Sequence, residues 1–430
     1  MPSEVDGNVS DAVAICGFSI KFPQEATSAD AFWEMIVRRK CTMTEFPADR
    51  ISLSGFQSSN KKRNNTFSVR GGHFIKEDLS LFDADFFNIS PTEAAAMDPM
   101  QRWLLEAAYQ ALQNSGISME AVSGTSTGVY TGCFTNDYMT QLYRDPECTP
   151  AYMATGVGTS MLANRISWFF NFHGPSLKTA SCDLSMVAGC NLTFAPELYQ
   201  SMSNMNFLSP DSLCYSFDER ANGYSRGEGI AVIILKRLSD AIRDGNTVRA
   251  VIRATGSNED GRTAGITQPS GQAQEQLIRE TYRKAALSMA HTRYFEAHGT
   301  GTPMGDPIEA LAVGKAFGDF RSEIDPLYMG AVKSNIGHLE GASALAGVIK
   351  AVLVLEKGVI PPNANFEKLN PKIDDKSLGL KFPEKCYSWP TPGLRRASIN
   401  SFGYGGSNSH IVLDDAYNFM HLRDPCHAAQ

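Results

Sequence analysis

Tyr294-Phe-Glu-Ala-His298-Gly-Thr300-Gly-Thr302 is an apolar run that ends at a histidine and enters a turn of alternating glycine and threonine. The first four residues read as a buried strand. The glycines let the backbone approach a ligand, and the hydroxyls of Thr300 and Thr302 can hydrogen-bond a polar chain lying on the turn. A second stretch, Met329-Gly-Ala-Val-Lys333-Ser-Asn-Ile-Gly337-His338-Leu-Glu340, repeats the order of strand, glycine and histidine. It leads into Ala342 to Lys357, a run so rich in Ala, Val and Leu that it predicts a helix buried on most sides. One histidine beside a glycine is most often structural, but two such histidines can converge on a single carbonyl. One would then donate to a developing enolate oxygen while the other assists loss of carbon dioxide, and neither role requires a metal. Lys333 and Glu340 are near enough in sequence to orient or tune His338.

Outward from these stretches the chain alternates strands with helices, which predicts a layered α/β fold. Ala12 to Cys16 reads as a first buried strand ending in a turn at Gly17-Phe18. Ser90, with Pro91 and Glu93, opens one helix and Asp98-Pro99 opens the next. Gly128 to Gly132 and Ile230 to Leu235 read as buried strands. The alternation resumes near Arg249, with helices over Gln274 to Ala286 and Ile308 to Phe317, and closes with a glycine turn at Gly405-Gly406 that feeds a last strand to Leu413. The expected organisation is a frayed segment 1–10, a first half 11–248, a second half 249–415 and a tail 416–430. Lys61-Lys62-Arg63 reads as a solvated loop face.

The chain has 430 residues and a formal net charge of −7. That is long enough for two coupled α/β halves with a large core, and the acidic balance argues against nucleic acid or an anionic membrane surface as partner. No apolar run approaches a membrane span and the start lacks signal-peptide character, so a cytoplasmic location is expected. The nine cysteines are dispersed, without metal-like spacing, and no metal site is expected.

Asp98-Pro-Met-Gln-Arg102, Asn164-Arg-Ile-Ser-Trp168, Gly174-Pro-Ser176, Phe207-Leu-Ser-Pro-Asp211, Gly223-Tyr-Ser-Arg-Gly-Glu-Gly229, the two histidine motifs, Gly305-Asp-Pro-Ile-Glu309 and Gly403-Tyr-Gly-Gly-Ser-Asn-Ser-His410 follow one another in a fixed order. In that order the chain resembles, from about Asp11 to Asp415, the ketosynthase domain of fungal, reducing, iterative type I polyketide synthases. The resemblance implies a thiolase-like fold of two related α/β halves in an α/β/α/β/α body. It implies decarboxylative Claisen condensation of acyl and malonyl units borne on phosphopantetheine, with no cofactor bound by the domain itself. Acyl carrier protein or other synthase domains are the implied partners, and a homodimer the implied assembly. By position, His298 and His338 are the two catalytic histidines, Thr300 and Thr302 contact the pantetheine arm, Lys333 and Glu340 support the site, and Phe402 gates the pocket.

One part of that pattern is lacking. The family carries its cysteine nucleophile on an elbow between a strand and a long helix, shortly after Gly-Pro-Ser, where the helix N-terminus activates the thiol. Cys182 can be laid over this cysteine. The alternative aligns Leu177 to Asp183 with the end of the nucleophile helix and Leu184 to Leu192 with the strand after it. This second placement fits better, because Asp183 to Phe194 cannot hold both a helix of about 11 residues and a strand of about 5. It leaves roughly 20 to 25 residues absent between Ser176 and Leu177, about one strand and one short helix. The expected consequences are no acylation and no condensation by the chain as written. Decarboxylation is expected to be weak or absent, because an opened pocket admits water, and the implied dimer contact is affected as well. The alternatives are a non-catalytic protein that binds a carrier or partner, and a truncated gene product.

Overall fold

A computed structural model describes residues 12–58, 63, 66–175 and 184–422. Ten strands form its main sheet: β1 Val13–Lys21, β2 Gly128–Cys133, β3 Leu184–Asn191, β4 Gly229–Arg237, β5 Ala250–Glu259, β6 Thr292–Glu296, β7 Leu327–Gly330, β8 Leu380–Lys381, β9 Arg396–Phe402 and β10 Ser407–Asp415. Their order is β8-β7-β6-β9-β10-β5-β1-β4-β3-β2. The strands before residue 248 thus lie at one end and those after it at the other, joined by a short antiparallel pairing of Val13, Ala14 and Ile15 with Ile252, Val251 and Ala250.

Strands at the centre of such a body are covered on both faces and read as continuous apolar runs. In β1, Ala14 and Cys16 join one core, while Ile15, Phe18 and Ile20 join another. In β4, Ile230, Val232 and Ile234 face the first core, and Ala231 and Ile233 the second. The first core is filled by helices α1 Pro99–Asn114 and α2 Met161–Phe170. The second surrounds α5 Ser343–Lys357, which packs on strands of both halves. A third core lies between the second-half strands and helices α3 Gly271–Lys284 and α4 Gly305–Phe317. These three cores stack the layers as α1/α2, strands, α5, strands, α3/α4, which is the expected α/β/α/β/α body. Every residue of α5 from Leu345 to Leu355 is buried, and Gly358, in the left-handed region at φ +61°, ends the helix.

One expectation changes. Gly17-Phe18 is not a turn: β1 runs through it to Lys21, with a register shift between Ile15 and Gly17. Glycine is needed there for close packing, since a Cβ on Gly17 would lie 2.6 Å from the Ser115 backbone nitrogen. Beyond the last strand, Ala416–His421 forms a short helix with Phe419 buried. Residues 1–10, Lys61 and Lys62, and residue 423 onward lie outside the described residues.

Candidate active site

The strand β6 delivers His298 to its turn, and the turn is held from behind by two acids three residues apart at the start of α4. Glu309 accepts the backbone N–H groups of His298 at 2.8 Å and Gly299 at 2.9 Å. Asp306 accepts those of Phe217 at 2.7 Å and Gly301 at 3.1 Å. Burial raises the pKa of Asp306 to about 7 and raises that of Glu309 as well. Lys333 does not face the cavity; its Nζ donates to the His298 carbonyl oxygen at 2.7 Å.

His338 follows Gly337 and is gripped by a bridge to residues 225–227: its N–H donates to the Ser225 carbonyl at 2.7 Å, and its carbonyl accepts from the Gly227 N–H at 2.8 Å. The two imidazole centroids are 5.7 Å apart with planes at 78°. Their tautomers follow from their partners. The Glu340 N–H donates to Nδ1 of His338 at 2.9 Å, and the Phe402 N–H donates to Nδ1 of His298 at 3.2 Å. A ring nitrogen that accepts carries no proton, so in the neutral rings both protons sit on Nε2. Burial holds both pKa values well below 6.5, with the Lys333 charge acting in the same direction on each.

His298, His338, Thr300, Thr302, Phe402 and Glu340 line one cavity of about 660 Å³, and the ring of Phe402 lies 5.5 Å from that of His298. The hydroxyls of Thr300 and Thr302 are 3.5 Å apart, and Thr302 also accepts the Gly305 N–H at 3.1 Å, steadying the start of α4. Met205, Phe207, Tyr224, Phe134 and Tyr404 give the cavity an apolar side. His338 keeps 15% of its side chain exposed. The turn after His338 makes a close backbone approach to the strands beside it. The Gly341 carbonyl would lie 2.5 Å from a Cβ on Gly189 and 3.0 Å from one on Gly132, so glycines let this turn close directly onto β2 and β3.

The sequence did not single out Cys133, at the end of β2, which borders the same cavity and whose thiol donates to the Thr135 carbonyl at 3.1 Å. Nor did it single out Glu309, Asp306 or Arg226 individually; the spacing of two acids near the start of a helix, beside a glycine turn, was the available signal. Cys182 and the junction after Ser176 lie outside the described residues. The segment that follows them is settled: Leu184–Asn191 is strand β3, paired parallel to β2 and antiparallel to β4. Among the described residues, a strand rather than a helix follows Cys182.

A layered α/β body with two half-buried, neutral histidines on strand-end turns belongs to the condensing enzymes, and the comparisons agree. The model of the β-ketoacyl synthase N-terminal domain matches residues 10–181 and 176–241, two stretches that meet at 176–181. The model of the C-terminal domain matches 249–367. The chain belongs to the β-ketoacyl synthase family. It is 51% identical over 434 residues to the reducing polyketide synthase pksF of Alternaria solani, covering 96% of this chain and 19% of that protein. It is 46% identical over 443 residues to the highly reducing polyketide synthase alnA of Emericella nidulans, covering 98% of this chain and 18% of that protein. The chain therefore spans about a fifth of the length of these curated relatives. Among solved structures, the ketosynthase from module 6 of the bacillaene synthase of Bacillus subtilis superposes with a TM-score of 0.86 at 32% identity, covering 94% of this chain and 72% of that one. An oxazolomycin ketosynthase domain of Streptomyces albus gives 0.88 at 30% identity, covering 94% and 76%. Among the described residues, no helix is long and apolar enough to cross a membrane.

Proposed function

We propose that this chain serves polyketide biosynthesis as a ketosynthase-type domain acting on phosphopantetheine-borne thioesters, and that its paired histidines carry out the decarboxylative half of the condensation. The observation that carries this reading is the shared tautomer: two neutral rings, each with its Nε2 proton, at one cavity. A malonyl thioester bound with its carbonyl oxygen between them loses carbon dioxide as the bond from the carboxylate carbon to the α-carbon breaks. The electron pair becomes the enolate, the two N–H groups hydrogen-bond the oxygen where charge develops, and water returns a proton to the α-carbon when no acyl acceptor is present. Thr300 and Thr302 hold the pantetheine arm, Phe402 gates the pocket, and Lys333 and Glu340 support the histidines.

The acyl-transfer half is impaired on this reading, because the segment that bears the family's cysteine is absent after Ser176; the division of the family match at 176–181 supports that. No cofactor is needed in the domain, and a carrier protein or other synthase domains deliver the substrates. The test uses malonyl carrier protein and an acyl carrier protein. Carbon dioxide release should be lost in His298→Ala and His338→Ala, and intact mass should show no acyl adduct. A folded protein that releases no carbon dioxide yet still binds carrier would be a binding protein only. An acyl adduct mapped to Cys182 or Cys133 would overturn the impaired acyl transfer.

A further inference from the structure

Behind His338 lies a charged pair that its neighbours do not explain. The Arg226 side chain is fully buried, and its Nε donates to Oε1 of Glu340 at 3.3 Å. Its two terminal nitrogens have no hydrogen-bond partner, and the guanidinium lies 4.7 Å over the ring of Tyr199. The other oxygen of Glu340 lies 3.6 Å from Nδ1 of His338. A buried carboxylate at that distance favours an imidazolium, yet Nδ1 is occupied by the Glu340 main-chain N–H, a contact that only the unprotonated nitrogen can accept.

Resting on the reading above, we propose that Arg226 is a positioning residue: its guanidinium holds the Glu340 carboxylate and offsets its charge, so that His338 stays neutral with its proton on Nε2, facing the thioester. The groups around His338 fall into two sets. Lys333 and Arg226 oppose a positive ring, and Glu340 alone favours one; the His298 ring, the Tyr224 ring at 5.2 Å and Cys133 across the cavity complete the surroundings. Burial is the larger cause of the lowered pKa of His338, and Lys333 and Arg226 add to it. Without Arg226 the balance of full charges near the ring passes from two cations against one anion to one against one. The Ser225 and Gly227 backbone bonds to His338 come from the same segment, so side chain and main chain of residues 225–227 grip the same turn.

The experiment reads the ring itself, with no substrate. Histidine side chains are titrated by NMR in the full chain with carbon-13 at Cε1, His338 being assigned by its loss in His338→Gln. In Arg226→Gln the midpoint of His338 should rise by on the order of one pH unit, and Arg226→Lys should bring most of it back. An unchanged midpoint in folded Arg226→Gln overturns the proposal, as does Arg226→Lys behaving like Arg226→Gln. Should Arg226→Gln fail to fold, Glu340→Gln decides: removing the carboxylate must move the His338 midpoint down, and a rise or no change overturns the proposal. Because the titration is independent of turnover, carbon dioxide release can fail while the His338 shift appears, or the reverse, and the two readings stand or fall separately.

Discussion

Lys350→Met should destabilise the protein and loosen the site, although Lys350 touches no part of the cavity. Its Nζ is fully buried in α5, two turns beyond the start of the helix that follows His338, and lies 2.9 Å from Oε2 of Glu296, which is 1% exposed. The ammonium is close to the carboxylate without an aligned hydrogen bond, so the attraction is one of charge. Glu296 stands two residues before His298 and also accepts the Val332 N–H at 2.6 Å and the Tyr294 hydroxyl. The pair thus ties the element carrying one imidazole to the element after the other. Removing Lys350 leaves the carboxylate with two neutral donors in a dry core, a loss of about 3–5 kcal/mol, or roughly a 100- to 3000-fold fall in the folding constant at about 1.4 kcal/mol per decade. Against a total stability of about 5–15 kcal/mol, a urea midpoint should fall visibly. Glu296→Gln alone should cost a similar amount, and the double variant should lie within about 1–2 kcal/mol of the native protein. A loss under about 1 kcal/mol in Lys350→Met, or single effects that simply add in the double variant, would refute the reasoning.

Gly337→Ala should lower carbon dioxide release strongly while leaving the fold cooperative. Gly337 sits at φ +70°, ψ −173°, a region open almost only to glycine at about 1–3 kcal/mol for other residues, and a Cβ would meet His73 Cδ2 at 2.4 Å; native activity in this variant would show that the turn does not set His338. Release of carbon dioxide should be flat from pH 8 to pH 6, because both histidines titrate well below 6.5, and a decline centred near 6.5 in the pH–rate profile would contradict the buried neutral pair. His410 is buried with its pKa pushed down to about 3; since the unfolded ring titrates near 6.5, its contribution to stability is present above that pH and is lost as the pH falls toward 3. Urea denaturation at several pH values should therefore show a shallower acid-side loss in His410→Gln, by up to about 1.4 kcal/mol per pH unit, and equal slopes would count against it.

What could be read from the sequence divides by the range of the interaction. Strand and helix positions follow from local patterns, so Leu184–Asn191, the largely apolar α5 and the glycine turns around both histidines were legible. Gly17 misled because glycine marks both turns and close approaches, and only the distant Ser115 backbone tells which applies. The partners that fix the chemistry are distant too: Arg226 meets Glu340 across 114 positions, and Phe402 reaches His298 across 104. The close approach of Gly341 to Gly132 and Gly189 likewise has no local sign. On the proposed function the two halves of the chemistry make different demands. Stabilising an enolate requires only that two Nε2 protons stay aimed into the cavity, and the bonds that aim them come from Glu309, Phe402, Glu340 and residues 225–227. Acyl transfer in this family uses a thiolate set at a helix N-terminus, which the proposal above takes to be missing after Ser176. On that proposal the covalent step is lost and the electrostatic one stands, so carbon dioxide release and acyl-adduct formation, measured on the same sample, should part company.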